Sequence, residues 1–210
     1  MGQNRFTIRD IGISLLALFL ITGFVVLSRQ KTPAFRPQAA SIPETPAPAP
    51  LPVNSIQSVH SPDGTMKLVM QRTATPGATE SAYTFDVSDI SGANKHTIYT
   101  ATLPMGTELT LPANSFSPDN RFVFILGRQD NVMSAFVFLS DGTFFPDGKA
   151  YTDVGSLFRS QLPDLSIRDV TGWDDPSLLH VTTKNSDGSV GQSYWFDIWS
   201  RSFLELGRKG

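Results

Sequence analysis

A short turn motif occurs twice in this chain, each time directly before an alternating apolar run. The motif is Ser-Pro-Asp followed by glycine or asparagine, and its residues are Ser61, Pro62, Asp63 and Gly64, then Ser117, Pro118, Asp119 and Asn120. Proline fixes φ at the second turn position, aspartate hydrogen-bonds nearby backbone, and glycine or asparagine tolerates the positive φ at which the chain reverses. We therefore predict two similar tight turns in a chain built from repeats.

Three segments of similar pattern follow one another after Val53, at about residues 54–103, 109–154 and 165–207. In each, alternate residues along the strand after the turn form one face: Met66, Leu68 and Met70; Phe122, Phe124 and Leu126; Leu179, Val181 and Thr183. A strand with alternating aromatic residues and a closing strand come next, and four strands in about 50 residues are typical of a propeller blade. The middle segment is apolar on both strand faces, so we expect it to be the most buried.

The third segment changes the chemistry of its turn. At the corresponding place it has Gly172-Trp173-Asp174-Asp175-Pro176, where we predict a turn of a different kind. A further short segment, residues 155–163, is expected to form a helical turn that covers one sheet edge.

The two Ser-Pro-Asp turns and the strands after them resemble the blades of TolB-type β-propellers, relatives of the WD-repeat proteins. The resemblance covers most of residues 56–206 and is strongest around residues 114–142. It implies an all-β fold of three propeller-blade-like, antiparallel four-stranded repeats. Since propellers close with about 4 to 8 blades, three blades leave edges open. The repeats would then form an incomplete propeller or one completed by a second chain; the alternative is an antiparallel β-sandwich.

The chain before these repeats has two distinct parts. Residues 11–28 are almost entirely apolar and have basic residues on both sides, which predicts a transmembrane helix after a short tail of residues 1–10. A cleaved signal peptide and a buried core helix fit less well, because no small-residue cleavage site follows and no polar face is present. Residues 29–53 are rich in proline and alanine and are expected to be an extended linker to a β-repeat domain at 54–210.

The charge distribution and the short N-terminal tail bear on location and partners. Residues 1–36 carry five Lys or Arg and one Asp, whereas the whole chain has a net charge of −2, so the remainder is acidic. We expect the N-terminus in the cytoplasm and the C-terminal domain outside the cell membrane, held by residues 11–28 in the lipid bilayer. An acidic domain makes nucleic acid an unsuitable partner.

Residue types that carry chemistry are scarce. The chain has no cysteine, and its three histidines, His60, His96 and His180, are far apart in sequence. No nucleophile elbow, calcium loop or phosphate-binding loop occurs, so we predict no catalytic, cofactor or metal site.

The tryptophans offer the other candidate site. Trp173, Trp195 and Trp199 could present aromatic surface to a ligand such as a cell-wall carbohydrate, although packing between blades is the simpler interpretation. Anchor, spacer and open sheet edges together favour a non-catalytic module of a bacterial envelope that binds protein, either itself or an envelope partner. The alternatives are a carbohydrate-binding module and the regulatory part of a hydrolase system.

Overall fold

The structure is a computed structural model that describes residues 53–207. The predicted tail, the predicted transmembrane helix and the linker up to residue 52 lie outside the described residues. Twelve strands are present in this part of the chain, arranged as three antiparallel sheets of four. The first sheet contains β1 (Val53–His60), β2 (Met66–Ala74), β3 (Glu80–Asp89) and β4 (His96–Pro104).

The second and third sheets follow in sequence and have the same up-and-down strand order. The second sheet contains β5 (Glu108–Thr110), β6 (Phe122–Gln129), β7 (Val132–Leu139) and β8 (Tyr151–Asp153). The third sheet contains β9 (Leu165–Asp175), β10 (Leu178–Asn185), β11 (Val190–Asp197) and β12 (Ser202–Glu205). The all-β class and the three four-stranded antiparallel sheets are thus confirmed.

The three sheets form a stack in which the second sheet lies in the middle. Alternation along β6 sends Phe122 and Phe124 into one hydrophobic core and Val123 and Ile125 into another. The first of these cores is shared with the third sheet and the second with the first sheet. All four side chains are buried, and β6 has more buried residues than β2 or β10, which confirms the prediction that the middle segment is the most buried of the three. Because there are three layers, a sandwich of two sheets alone does not describe the arrangement.

The outer face of the first sheet is polar. Strand alternation assigns Lys67, Gln71, Thr84, Asp86 and Thr97 to the side away from the second sheet. Asp86 is buried on this face, where Lys95 pairs with it at 2.9 Å and the Thr97 hydroxyl donates to it at 2.6 Å. A polar face of this kind suits a sheet that packs against another sheet on one side and faces solvent on the other.

The segment predicted to form a helical turn is the helix α1 (Val154–Gln161). Asp153 caps its N-terminus by accepting a hydrogen bond from the backbone N–H of Ser156. The helix contacts β7 and the edge strand β9, and it buries Phe158 in the core between the second and third sheets. No helix among residues 53–207 has the length and hydropathy that a membrane span requires.

Candidate functional site

The two Ser-Pro-Asp turns have the same hydrogen bonds. In the first turn the Ser61 hydroxyl donates to Asp63 at 2.6 Å and accepts from the Met66 N–H at 2.9 Å. In the second turn the Ser117 hydroxyl donates to Asp119 at 2.7 Å and accepts from the Phe122 N–H at 2.9 Å. Each serine also pairs by its own N–H with the carbonyl oxygen of the first strand residue after the turn. Serine and aspartate therefore form the turn themselves.

The last residue of each turn has the positive φ that its type allows. Gly64 has φ 72° and Asn120 has φ 61°. Proline precedes the aspartate in both copies, and the N–H of Gly64 or Asn120 closes the reverse turn on the serine carbonyl at 2.9 Å. Because these hydrogen bonds are made within a few residues, the turns can be predicted from the sequence.

A hydrogen bond joins the two turns to each other. The Asn120 side-chain amide donates to Asp63 Oδ2 at 2.7 Å. Hydrogen bonds from the Ser61 hydroxyl, the Thr65 N–H and the Asn120 amide hold the pKa of Asp63 well below its usual range, because they stabilise the carboxylate. The first and second sheets are therefore linked at the turn end as well as through their core.

His96 forms a second link between the same two sheets. Its Nε2 lies 2.9 Å from the carbonyl oxygen of Ser140, the residue directly after β7, and its Nδ1 lies 3.1 Å from the carbonyl oxygen of Asn94. The Ser140 hydroxyl in turn donates to the carbonyl oxygen of Asn120. His96 thus has a structural contact at each ring nitrogen.

The other two histidines lie elsewhere. His60 is the last residue of β1 and is exposed. His180 lies in β10, with Nδ1 3.5 Å from Asp174 Oδ2. The three histidines are thus on separate elements.

The turn predicted in the third segment is wrong in its position. Gly172, Trp173, Asp174 and Asp175 all belong to β9, and the chain reverses at Pro176 and Ser177 instead. The physical reason is a tertiary contact: the Trp173 ring stacks on Phe122 with centroids 5.9 Å apart, and its Nε1 donates to the Ser115 carbonyl oxygen at 3.1 Å. These bonds hold the segment in a bulged strand against the second sheet.

The three tryptophans do not share one surface. Trp173 lies between the second and third sheets. Trp195 is on the opposite face of the third sheet, where its Nε1 donates to Asp174 at 2.6 Å. Trp199 follows β11 and is 44% exposed, with the Arg121 guanidinium 4.6 Å above its ring. Of the three rings, Trp199 presents the most open surface.

The six edge strands of the three sheets differ in how well they are protected. In the second and third sheets β5, β8 and β12 are only three or four residues long. Strand β9 is long, but it has three register shifts and carries Arg168, Asp169, Asp174 and Asp175. Short length, bulges and charges are the usual means of preventing edge-to-edge pairing.

Strand β1 has none of these protections. Its sequence VNSIQSVH contains no Lys, Arg, Asp, Glu or Pro, and it pairs with β2 over all eight residues without a bulge. Seven of its eight residues are exposed. Strand β4 is also long and has no such charge, but it has a register shift opposite Phe85 and Asp86. The flat edge of β1 is therefore the most accessible pairing surface among the described strands.

Comparison with known proteins identifies no family for this chain. No protein-family model matches the chain, and no curated protein sequence matches it. Among solved structures, an apo AtxE2 isopeptidase aligns with a TM-score of 0.49 and 12% sequence identity. The alignment covers 76% of this chain and 32% of the isopeptidase chain, so this chain spans about a third of that protein.

Proposed function

We propose that this chain is a membrane-anchored, non-catalytic module that assembles by pairing the open edge of β1 with the same strand of a second copy. In this proposal residues 11–28 hold the chain in the cell membrane, and the β-repeat domain, an incomplete propeller of the TolB type, lies outside the cytoplasm. The single observation that carries the proposal is the unprotected edge of β1.

The backbone groups available on β1 follow from its register. Because the Ser61 N–H donates to the Met66 carbonyl oxygen, hydrogen-bonded pairs recur at every second residue toward Val53. The N–H groups of Ile56 and Ser58 therefore point away from β2, toward the open edge. An added antiparallel strand would bond to these groups and extend the first sheet.

A second copy fits this edge for two reasons. Two β1 strands related by a two-fold axis would bring together two uncharged edges, so no charge repulsion opposes their pairing. The Gln57 side chain also accepts a hydrogen bond from the Leu111 N–H at 3.3 Å, which fixes β1 to the segment before β6. The edge is thus held in position without a partner.

Edge pairing is favoured over the closed six-bladed ring that two chains would make by face-to-face packing. Such a ring would cover the outer face of the first sheet, where Lys67, Gln71 and Asp86 lie. Burying these polar groups against another blade costs free energy unless each finds a partner.

A proline substitution tests the proposal. Ser58→Pro removes an outward N–H and leaves the bonds to β2 intact, whereas Ser58→Ala removes only the hydroxyl. We expect the full chain in detergent micelles to be a dimer by light scattering after size exclusion, Ser58→Ala to remain dimeric, and Ser58→Pro to be monomeric with an unchanged circular dichroism spectrum. A monomeric parent chain, or a Ser58→Pro variant that dimerises like its parent, would contradict the proposal.

The carbohydrate-binding alternative draws less support. It requires exposed aromatic rings on one surface, yet the indole N–H groups of Trp173 and Trp195 are bonded to acceptors within the domain. The remaining alternative, a regulatory part of a hydrolase system, has no further observation in its favour.

A further inference from the structure

A cavity of about 530 Å³ lies between the first and second sheets, at the end opposite the Ser-Pro-Asp turns. The first sheet contributes Tyr99 and Leu103 from β4. The second sheet contributes Leu109, Ile125, Phe136 and Phe138. This volume is within the range of about 300 to 1,000 Å³ that small-molecule sites usually have.

The cavity begins beyond the fully packed part of the core between these sheets. Nearer the turns the interface is closed by Leu68, Phe85 and Val123, which are fully buried. Further along β6 the residue on the same face as Val123 and Ile125 is Gly127, which has no side chain. A Cβ atom there would lie only 2.8 Å from Cε2 of Phe136 and 3.3 Å from Cδ2 of Leu109, so these two side chains pack directly against the glycine, and all three residues line the cavity.

The rim of this cavity is charged. Arg128 and Arg159 lie on it together with Asp130 and Asp153. Both oxygens of Asp153 are already occupied, by the Ser134 hydroxyl, the Ser156 N–H and the Ser156 hydroxyl. Within residues 53–207, neither arginine forms an ion pair, although Arg159 donates to the Ser156 hydroxyl at 2.9 Å.

These walls and this rim define a chemical class of ligand. Apolar walls select an aliphatic or aromatic body by the area that they remove from water. A guanidinium group binds a carboxylate in a bidentate fashion, and neither rim arginine is paired with a carboxylate within residues 53–207. We propose that the cavity binds a small amphiphile with an apolar body and a single anionic head, the body between the sheets and the head at Arg128 and Arg159.

A photoreactive fatty acid tests the proposal on the full chain in detergent micelles. The probe is dodecanoate with a diazirine near its methyl end, and labelled tryptic peptides are identified by mass spectrometry. We expect saturable labelling of the peptides 96–121, 122–128 and 129–149, suppressed by excess unlabelled dodecanoate. Labelling that does not saturate, or that falls mainly on other peptides, would overturn the proposal.

Substitutions of the two rim arginines test whether the protein recognises the anionic head of the ligand as well as its apolar body. The double variant Arg128→Ala and Arg159→Ala should lose about tenfold in apparent affinity for the acid probe, equivalent to about 1.4 kcal/mol. Arg168→Ala, an exposed arginine on β9 that does not line the cavity, is the matched control and should leave labelling unchanged. The neutral dodecanol analogue should label the parent and the double variant equally. If the acid probe labels the double variant with the same apparent affinity as the parent chain, the proposed anionic head is wrong.

A steric variant tests the position of the body. Val132 and Val190 are the first residues of β7 and β11, both are exposed, and of the two only Val132 lines the cavity. Val132→Trp should reduce labelling by both probes, whereas Val190→Trp should not. Equal labelling of the two variants would contradict a ligand between the sheets, and because both positions are exposed, each variant should fold.

Discussion

Asn120 combines two roles that no other turn residue of the first two sheets combines. Its backbone has φ 61°, which asparagine tolerates better than most residues, and its side chain reaches Asp63 in the neighbouring turn. Gly64, at the same place in the first turn, supplies the backbone conformation alone. The contact between the first and second sheets thus explains why the second Ser-Pro-Asp turn ends in asparagine and not in glycine.

Substitutions at Asn120 separate these two roles. Asn120→Gly keeps the positive φ and removes the hydrogen bond to Asp63, so we expect a lower midpoint of thermal unfolding. Asn120→Ala should lower it further, because a left-handed conformation costs alanine about 1 to 2 kcal/mol. The measurement is circular dichroism of the full chain during heating.

Asn94 provides the matched control for this prediction. It also has positive φ, 55°, but its side chain bonds to Asp89 within its own loop. Asn94→Gly should therefore change the midpoint less than Asn120→Gly does. An equal effect of the two glycine variants would show that the contact between the turns adds no more stability than a hydrogen bond within one loop.

The helix α1 illustrates how one capping residue serves two elements. The carboxylate of Asp153 accepts from the Ser156 N–H inside the helix and from the Ser134 hydroxyl on β7. The helix also sits very close to β7, since a Cβ atom at Gly155 would collide with the Ser134 side chain. Cap and glycine together fix the angle at which the chain leaves the second sheet.

Loss of this cap should be measurable. Asp153→Ala removes the acceptor and is expected to lower the free energy of unfolding by about 1 kcal/mol, the usual value for a lost N-cap. Asp153→Asn should retain most of this free energy of unfolding, because asparagine caps a helix about as well as aspartate does. Urea unfolding of the full chain gives both values. If asparagine proves as damaging as alanine, the carboxylate charge rather than the cap is the source of the stability.

The elements that could be predicted from sequence are those whose chemistry is local. The turns at Ser61 and Ser117 form bonds within a few residues, and the strands after them show their period directly. The sequence places the third turn too early, because Asp174, Asp175 and Pro176 are residue types that are common in turns. Only the stacking of Trp173 on Phe122 shows that the segment up to Asp175 is a strand. The sequence does not predict the cavity, because its walls come from strands of two different sheets. A glycine in an apolar strand was its one signal in the sequence.

At the scale of the whole domain, the second sheet is the element on which both cores depend. One side of β6 packs with the third sheet and the other with the first. Two polar contacts also join neighbouring sheets through their loops: the Asn120 side chain donates to Asp63, and Arg201 pairs with Asp147 at 2.6 Å. Neither outer sheet can therefore separate without exposing one face of the middle sheet.

This arrangement predicts that all three sheets unfold together. Trp173, Trp195 and Trp199 lie in or beside the third sheet, so tryptophan fluorescence reports on that sheet, whereas far-ultraviolet circular dichroism reports on all three. Ile125→Val weakens only the core between the first and second sheets, by about 0.5 to 1.5 kcal/mol. We expect it to lower the thermal midpoints of both signals equally. A fluorescence midpoint that stays at the parent value would show that the third sheet is stable without the first, since cooperative unfolding requires coincident transitions.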